Sequence, residues 1–332
     1  MDSKLSRVCF ARSARCILNP VNTCSGVRMG TRKNTDPITA SEIQEFVSTR
    51  DDFGLELYVY RLALENGFKA SHAGTYEDAV THKPRQYDVR AFIERSQLRI
   101  DLAIECKSLQ PACPLVVSRV ERASDESFHE VVHSFKRDLS VHSLPAVSQN
   151  LFTPAKSVRF HRMHSLFGAR EFVGKSTSQL QRRNGELESN DSSVYDKWSQ
   201  AMSSAEELIF DSIYRYKKLD GNDGLTVVLP VLVVSDQTLW VVDYSHEGEI
   251  VNMPTQVKEA TLYLGREYWR KDRIRHTISH LHIVTQTGLA ALLRSIRDDD
   301  SVWESLFPCN RVEDFRPYRV EPTIGIRVPI NK

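Results

Sequence analysis

The chain has 332 residues, 41% hydrophobic and 26% charged, and its 44 Lys plus Arg against 43 Asp plus Glu leave a net charge of +1. This is a globular composition with length for one large or two small domains, and no apolar run is long enough to cross a membrane. Six scattered cysteines without a C-x-x-C pair argue against a disulfide framework or a structural zinc site and for a reducing, cytoplasmic setting; a near-neutral chain neither demands nor excludes a nucleic-acid partner, so any basic surface must be local.

Residues 1–33 carry seven Lys or Arg and one acid, Asp2, which reads as a basic, disordered extension over 1–36, a transit-like presequence, or the leader of an upstream start with Met29 as an alternative. A helix is predicted from about 38 or 41 to 47 and a second over 52–66. In the second, Phe53, Leu57, Tyr60 and Leu64 recur at helical spacing, and Gly67 supplies the stop. A strand over 68–73 and a loop through Lys83, Pro84 and Arg85 then lead to Tyr87 and Asp88, with Lys83 and Arg85 as candidate phosphate contacts or exposed loop charges.

The stretch from Asp88 to Lys107 alternates with period two. Val89, Ala91 and Ile93, then Leu98, Ile100, Leu102, Ile104 and Cys106, fall on one face if Ser96-Gln97 is the turn. That register pairs Arg95 with Leu98, Ile93 with Ile100, Ala91 with Leu102 and Val89 with Ile104, and sets Asp88 across from Glu105. Lys107 lies on the same face, two residues on. Two carboxylates on adjacent strands make a hard-oxygen site suited to Mg²⁺ or Mn²⁺, and a neighbouring amine can orient or deprotonate a water. Together these groups serve phosphodiester hydrolysis; a solvated surface ion pair is the plainer alternative.

Asp88 followed across a hairpin by Glu105-Cys106-Lys107 resembles the core of the PD-(D/E)XK nuclease superfamily, the restriction-endonuclease-like fold, over roughly residues 50–245, with Tyr87 where a proline often stands. The resemblance implies a central mixed β-sheet flanked by helices: a helix, a strand, the hairpin, a second helix and a further strand. It also implies that Asp88 and Glu105 bind the metal with the Cys106 carbonyl, that Lys107 assists the attacking water, that Glu56 on the first core helix reaches the metal, and that cleavage leaves a 5′-phosphate.

Beyond Lys107, a short strand is expected at 115–118. Phe128-His129-Glu130-Val131-Val132-His133 contains a literal H-E-x-x-H, and Phe128, Val132, Phe135 and Leu139 give it helical spacing. On a helix, His129 and His133 would flank a zinc with Glu130 as base, so a zinc peptidase is an alternative. The segment 156–183 holds seven Lys or Arg against Glu171, interleaved with Phe and His. Lys175, Arg182 and Arg183 are its candidate nucleic-acid contacts. Gly174-Lys175-Ser176-Thr177 resembles the end of a phosphate loop but lacks the spacing. A polar loop over 185–193, a helix over 194–218, strands over 225–234 and 239–244, strands near 260–264 and 280–284, and a helix over 288–297 follow, with Lys197 and Gln200 able to face the cleft. Arg266, Arg270, Lys271, Arg273 and Arg275 form a second cationic cluster.

The organisation expected is an α/β domain over 37–300 with a basic insertion near 156–190 and a C-terminal extension over 301–332. Its expected activity is Mg²⁺- or Mn²⁺-dependent hydrolysis of nucleic acid, most naturally DNA in restriction, repair or phage defence, with a homo-oligomer and no membrane partner. A non-catalytic nucleic-acid-binding or assembly module of the same fold is the other alternative.

Overall fold

The computed structural model describes residues 36–96, 98–123, 128–135, 155–161, 171–215, 225–269 and 275–307. Most of the basic extension over 1–36, residues 162–170 of the basic insertion, Arg270, Lys271 and Arg273 of the second cluster, and residues 308–332 lie outside these. The chain divides into Met1–Ile43 and Gln44–Lys332. Helix α1 (Ala40–Arg50) spans that division, and its start is fixed by a capping box in which the Thr39 N–H and hydroxyl donate to Glu42 at 2.9 and 2.8 Å.

Helix α2 (Phe53–Glu65) follows Asp52 and ends in a Schellman turn. Phe68 N–H donates to the Ala63 carbonyl, Gly67 N–H donates to Leu64, and Gly67 takes φ 82°. Strands β1 (Lys69–His72), β2 (Thr75–Glu77) and β3 (Pro84–Gln86) come next, then the hairpin of β4 (Val89–Arg95) and β5 (Leu98–Lys107). Its register is the one the alternation predicts, from Arg95 opposite Leu98 to Val89 opposite Ile104. Ser96, the first turn residue, has φ 55°, the left-handed geometry that two-residue hairpin turns need.

The remaining elements are β6 (Leu115–Glu121), β7 (Phe128–Phe135), β8 (Ala155–His161), β9 (Phe172–Arg183), β10 (Glu186–Ser189), α3 (Ser192–Arg215), β11 (Leu225–Val234), β12 (Leu239–Tyr244), β13 (Thr255–Gln256), β14 (Glu259–Trp269), β15 (Arg275–Thr285), α4 (Gln286–Asp298) and α5 (Asp300–Leu306). One mixed sheet runs β1-β4-β5-β11-β15-β14-β9-β6-β12-β13, with β7 and β8 continuing from β11 and β10 beside β9, while β2 and β3 pair separately. Strands β5, β11 and β15 are parallel, and β4 is antiparallel to both β1 and β5. The protein is thus α/β, a large mixed sheet flanked by helices.

Both faces of the central strands are covered. Val227, Leu229, Val231 and Val233 of β11 join one core with α2, α4 and α5, while Val228, Leu232 and Val234 join a second with α3. That is why β11 reads as a nearly continuous apolar run. Each such side chain contributes roughly 1.5–3 kcal/mol by burial. The second core also includes Leu115 and Val117 of β6 and Leu239 and Val241 of β12. Strands β11 and β12 stand five places apart in the sheet, about 24 Å if it were flat. Only residues 235–238 join them, a reach of at most about 18 Å. The sheet therefore curls back around α3.

Two expectations are corrected. The H-E-x-x-H run is the strand β7, paired with β8 and β11, not a helix. Along a strand, residues four apart are separated by roughly 13 Å, so His129 and His133 do not flank one zinc from adjacent turns. Extended pairing wins here because Val131 and Val132 and the flanking Phe residues suit a strand between two partners. The polar segment after 185 is not all loop, because β10 pairs back on β9 through an Asn184-Gly185 turn with φ of 53° and 90°. Gly174-Lys175-Ser176-Thr177, whose spacing already falls short of a phosphate loop, lies within β9. A Cβ on Gly174 would come within 2.6 Å of Val117, so this glycine serves strand packing.

Candidate functional site

Asp88 immediately precedes β4 and Glu105 lies near the end of β5, facing it across the ladder. The Asp88 N–H points at Glu105 Oε1 (3.4 Å), and Asp88 Oδ2 accepts the Cys106 N–H at 2.7 Å. Tyr87 steadies the approach to Asp88. Its hydroxyl shares a hydrogen bond with Ser71 (3.0 Å), and the Arg90 guanidinium lies 4.4 Å over its ring. Gly74 makes room for it, since a Cβ there would stand 2.1 Å from the Tyr87 hydroxyl.

The strict alternation of β5 suggests one solvated face, but every residue from Arg99 to Cys106 is buried. Helix α3 covers the second face, so Glu105 is 0% exposed and Asp88 7%. Burial, and then the charge of Asp88, hold the Glu105 carboxyl well above its usual 4.5. Its Oε2 accepts no hydrogen bond.

The cation against these carboxylates comes from α3. Lys197 Nζ lies 2.6 Å from Asp88 Oδ2 and 3.6 Å from Glu105 Oε2. Burial opposes its charge, yet the two carboxylates overcome that and raise its pKa above 10.5. The helix is aimed along one stripe, in which Gln200 accepts from the Tyr76 hydroxyl through its carbonyl (3.4 Å) and Ser204 accepts from Arg90 (3.2 Å). Tyr76 is buried, and burial together with the Glu105 charge pushes its phenol up.

Lys107 stands at the exit of β5, where its ammonium is 3.1 Å from Asp52 Oδ2 and the Ser108 N–H donates to Asp52 Oδ1 at 2.6 Å. Asp52 sits at the α2 N-cap but makes no capping bond with its side chain, which ties α2 to the end of β5 instead. Glu56, one turn into α2, is bonded to His72 Nε2 at 3.1 Å, and the imidazole is tilted against the rings of Phe53 and Tyr60, with centroids 5.6 and 6.1 Å away. Burial, and then the charge of Asp88, raise the Glu56 carboxyl.

Arg85 is exposed on β3, opposite Tyr76. Lys175 is exposed on β9, four places from β5 in the sheet, with its ammonium 4.8 Å over the Tyr263 ring. Arg182 and Arg183 engage their own hairpin, through the Gly185 carbonyl (3.3 Å) and Glu188 (3.9 Å). Of the residues singled out in the sequence, Asp88 and Glu105 face each other, Glu56 on α2 is bonded to His72, Lys107 stands two residues beyond Glu105 and is paired with Asp52, and Arg182 and Arg183 belong to another element. Asp52 and His72 carry no signal in the sequence that separates them from an ordinary cap and strand residue.

Among the described residues no group of three or more His, Cys, Asp or Glu side chains is set to hold a metal ion. The centre fits instead the kind of divalent ion that takes one or two carboxylates and keeps its waters, as Mg²⁺ does. It offers hard oxygens, one of them without a hydrogen bond, that already face a positive charge. No helix among the described residues is long and apolar enough to cross a membrane. No family model, curated protein or solved structure matches the chain.

Proposed function

We propose that the protein is a divalent-metal-dependent nuclease of the PD-(D/E)XK type, hydrolysing phosphodiester bonds, with DNA as the favoured substrate. The observation that carries this reading is the buried Asp88–Glu105 pair, two carboxylates held across a hairpin with a single ammonium between them. The succession α2, β1, β4–β5, α3 and β11 follows the order the family resemblance implies.

In this reading Asp88 and Glu105 hold Mg²⁺ or Mn²⁺, with Glu56 contributing from α2. Bound there, the ion supplies positive charge to phosphate oxygens and acidity to a water. Lys107, beyond Glu105 on the same strand face, orients the attacking water, and Asp52 holds its ammonium while bonding the Ser108 N–H at the end of β5. Arg85 offers a phosphate contact beside the centre, and α3 shields the carboxylates from bulk solvent. Cleavage that leaves a 5′-phosphate, a paired assembly for cutting two strands, and a role in restriction, repair or phage defence all extend from the same resemblance.

The test is incubation with assorted DNA and RNA in Mg²⁺ or Mn²⁺ against EDTA, comparing wild type with Asp88→Ala. Cleavage confined to the divalent-loaded wild type is expected. Nucleic-acid binding with no cleavage under any condition would instead mark a non-catalytic module.

A further inference from the structure

Lys197 arises from a part of the chain remote from the motif, yet its ammonium makes the shortest polar contact of the centre, 2.6 Å to Asp88. We infer that Lys197 is a tethered counter-ion of this centre: it partly offsets the charge of the Asp88–Glu105 pair in the metal-free protein and is displaced from Asp88 Oδ2 when a divalent ion binds. The inference rests on the nuclease reading and adds how its metal site is kept before loading.

Three features support it. First, two buried carboxylates side by side repel strongly, and only a cation relieves them without protonation. Lys197 is that cation, and it sits unevenly, close to Asp88 and at 3.6 Å from a Glu105 Oε2 that accepts no hydrogen bond.

Second, the chemistry of the partner differs from that of the protein's permanent ion pairs. Asp101 is gripped by Arg99 through two bonds of 2.8 and 2.9 Å, and Asp243 by Arg119 through two of 2.7 and 3.0 Å. Both are planar guanidinium forks matched to a carboxylate. At the Asp88–Glu105 centre the partner is an ammonium, a point charge on a flexible four-carbon stem that swings away without breaking a bidentate lock.

Third, the backbone under Lys197 does not have to move. Val194, Ala201, Met202 and Ala205 anchor α3 in the second core, so exchange requires only the side chain to reorient.

The experiment is Mn²⁺ binding to the full chain without nucleic acid, followed by the electron paramagnetic resonance of free Mn²⁺. Melting temperature is read in EDTA and in Mn²⁺. Lys197→Met keeps the stem and removes the competing charge, so Mn²⁺ should bind roughly tenfold or more tightly than to wild type. The variant should melt lower in EDTA and gain more from Mn²⁺ than wild type does. Lys197→Arg, which keeps the charge and adds a bidentate grip, should bind Mn²⁺ more weakly than wild type.

Unchanged or weaker Mn²⁺ binding by Lys197→Met, with wild-type binding lost in Asp88→Ala, would overturn the counter-ion role and leave the nuclease reading standing. So would unchanged binding by Lys197→Arg. Absence of Mn²⁺ binding in wild type and Lys197→Met alike would remove the nuclease reading, and the inference with it.

Discussion

The two ends of the β4–β5 hairpin each bury a carboxylate on the same face of β5, and treat it in opposite ways. Near the turn, Asp101 is 2% exposed and takes both forks of Arg99, whose third nitrogen reaches Glu94 at 3.0 Å while the guanidinium lies 3.4 Å over Phe92. Four residues on, Glu105 is fully buried, faces a second carboxylate, and leaves an oxygen without a hydrogen bond. A pair as closed as Arg99–Asp101 has nothing left to offer a ligand. The Asp88–Glu105 end keeps unspent negative charge in a low-dielectric setting, which is costly to folding and useful for holding a cation.

That contrast is sharpened first by neutralising each carboxylate in turn. Glu105→Gln should lower cleavage by about 100-fold or more, the scale of losing a main electrostatic group. Because glutamine replaces a carboxyl whose ionised form is poorly compensated in this buried setting, it should leave the metal-free protein as stable as wild type or more so. Asp101→Asn should do the reverse, leaving Arg99 under-paired at a cost of about 3 kcal/mol while cleavage stays within a few-fold of wild type. Urea unfolding in EDTA together with a cleavage assay separates the two.

The same comparison has a pH signature. The folded-state carboxyl of Glu105 is raised, so the folded protein holds a proton that the unfolded chain releases above about 4.5. The stability this provides is complete below that pH and is lost as pH rises through the raised value. Unfolding in EDTA between pH 5 and 8 should therefore show stability falling with pH, and Glu105→Gln should flatten the slope. An unchanged slope in the variant would assign the raised carboxyl elsewhere.

The smallest effect concerns substrate contacts. Arg85→Ala should raise KM several-fold and reduce the salt dependence of nucleic-acid binding by about one phosphate contact. Arg182→Ala and Arg183→Ala, whose partners lie in their own hairpin, should change it less.

How far the sequence reaches follows from the range of each signal. The hairpin register is legible because period-two alternation fixes facing residue by residue, which brings Asp88 opposite Glu105 without any tertiary knowledge. Lys197 ranks low in the sequence because a lysine in the first turns of an amphipathic helix looks solvated; only the packing of α3 on β5 turns it toward the carboxylates. Asp52 looks like a plain helix cap, and its diversion to Lys107 and Ser108 depends on where β5 ends.

The H-E-x-x-H spacing fits a helix as well as a strand over so short a run, and pairing with β8 and β11 decides it. The Asn184-Gly185 turn was readable, since Asn-Gly is a strong hairpin signal, but the polar strand after it has no apolar face to announce it. Strands β11 and β12, joined by a short turn, suggest a hairpin. They part because β12 pairs in parallel with β6 at the far side of the curled sheet.

The most direct test of the central claim is the rate of phosphodiester cleavage as a function of Mn²⁺ concentration, for wild type beside Asp88→Ala and Glu105→Gln. The wild-type rate should rise to saturation with Mn²⁺ and vanish in EDTA, with both variants slower by about 100-fold or more at every concentration. Cleavage that persists in EDTA, or that stays within a few-fold of wild type in either variant, would contradict the claim.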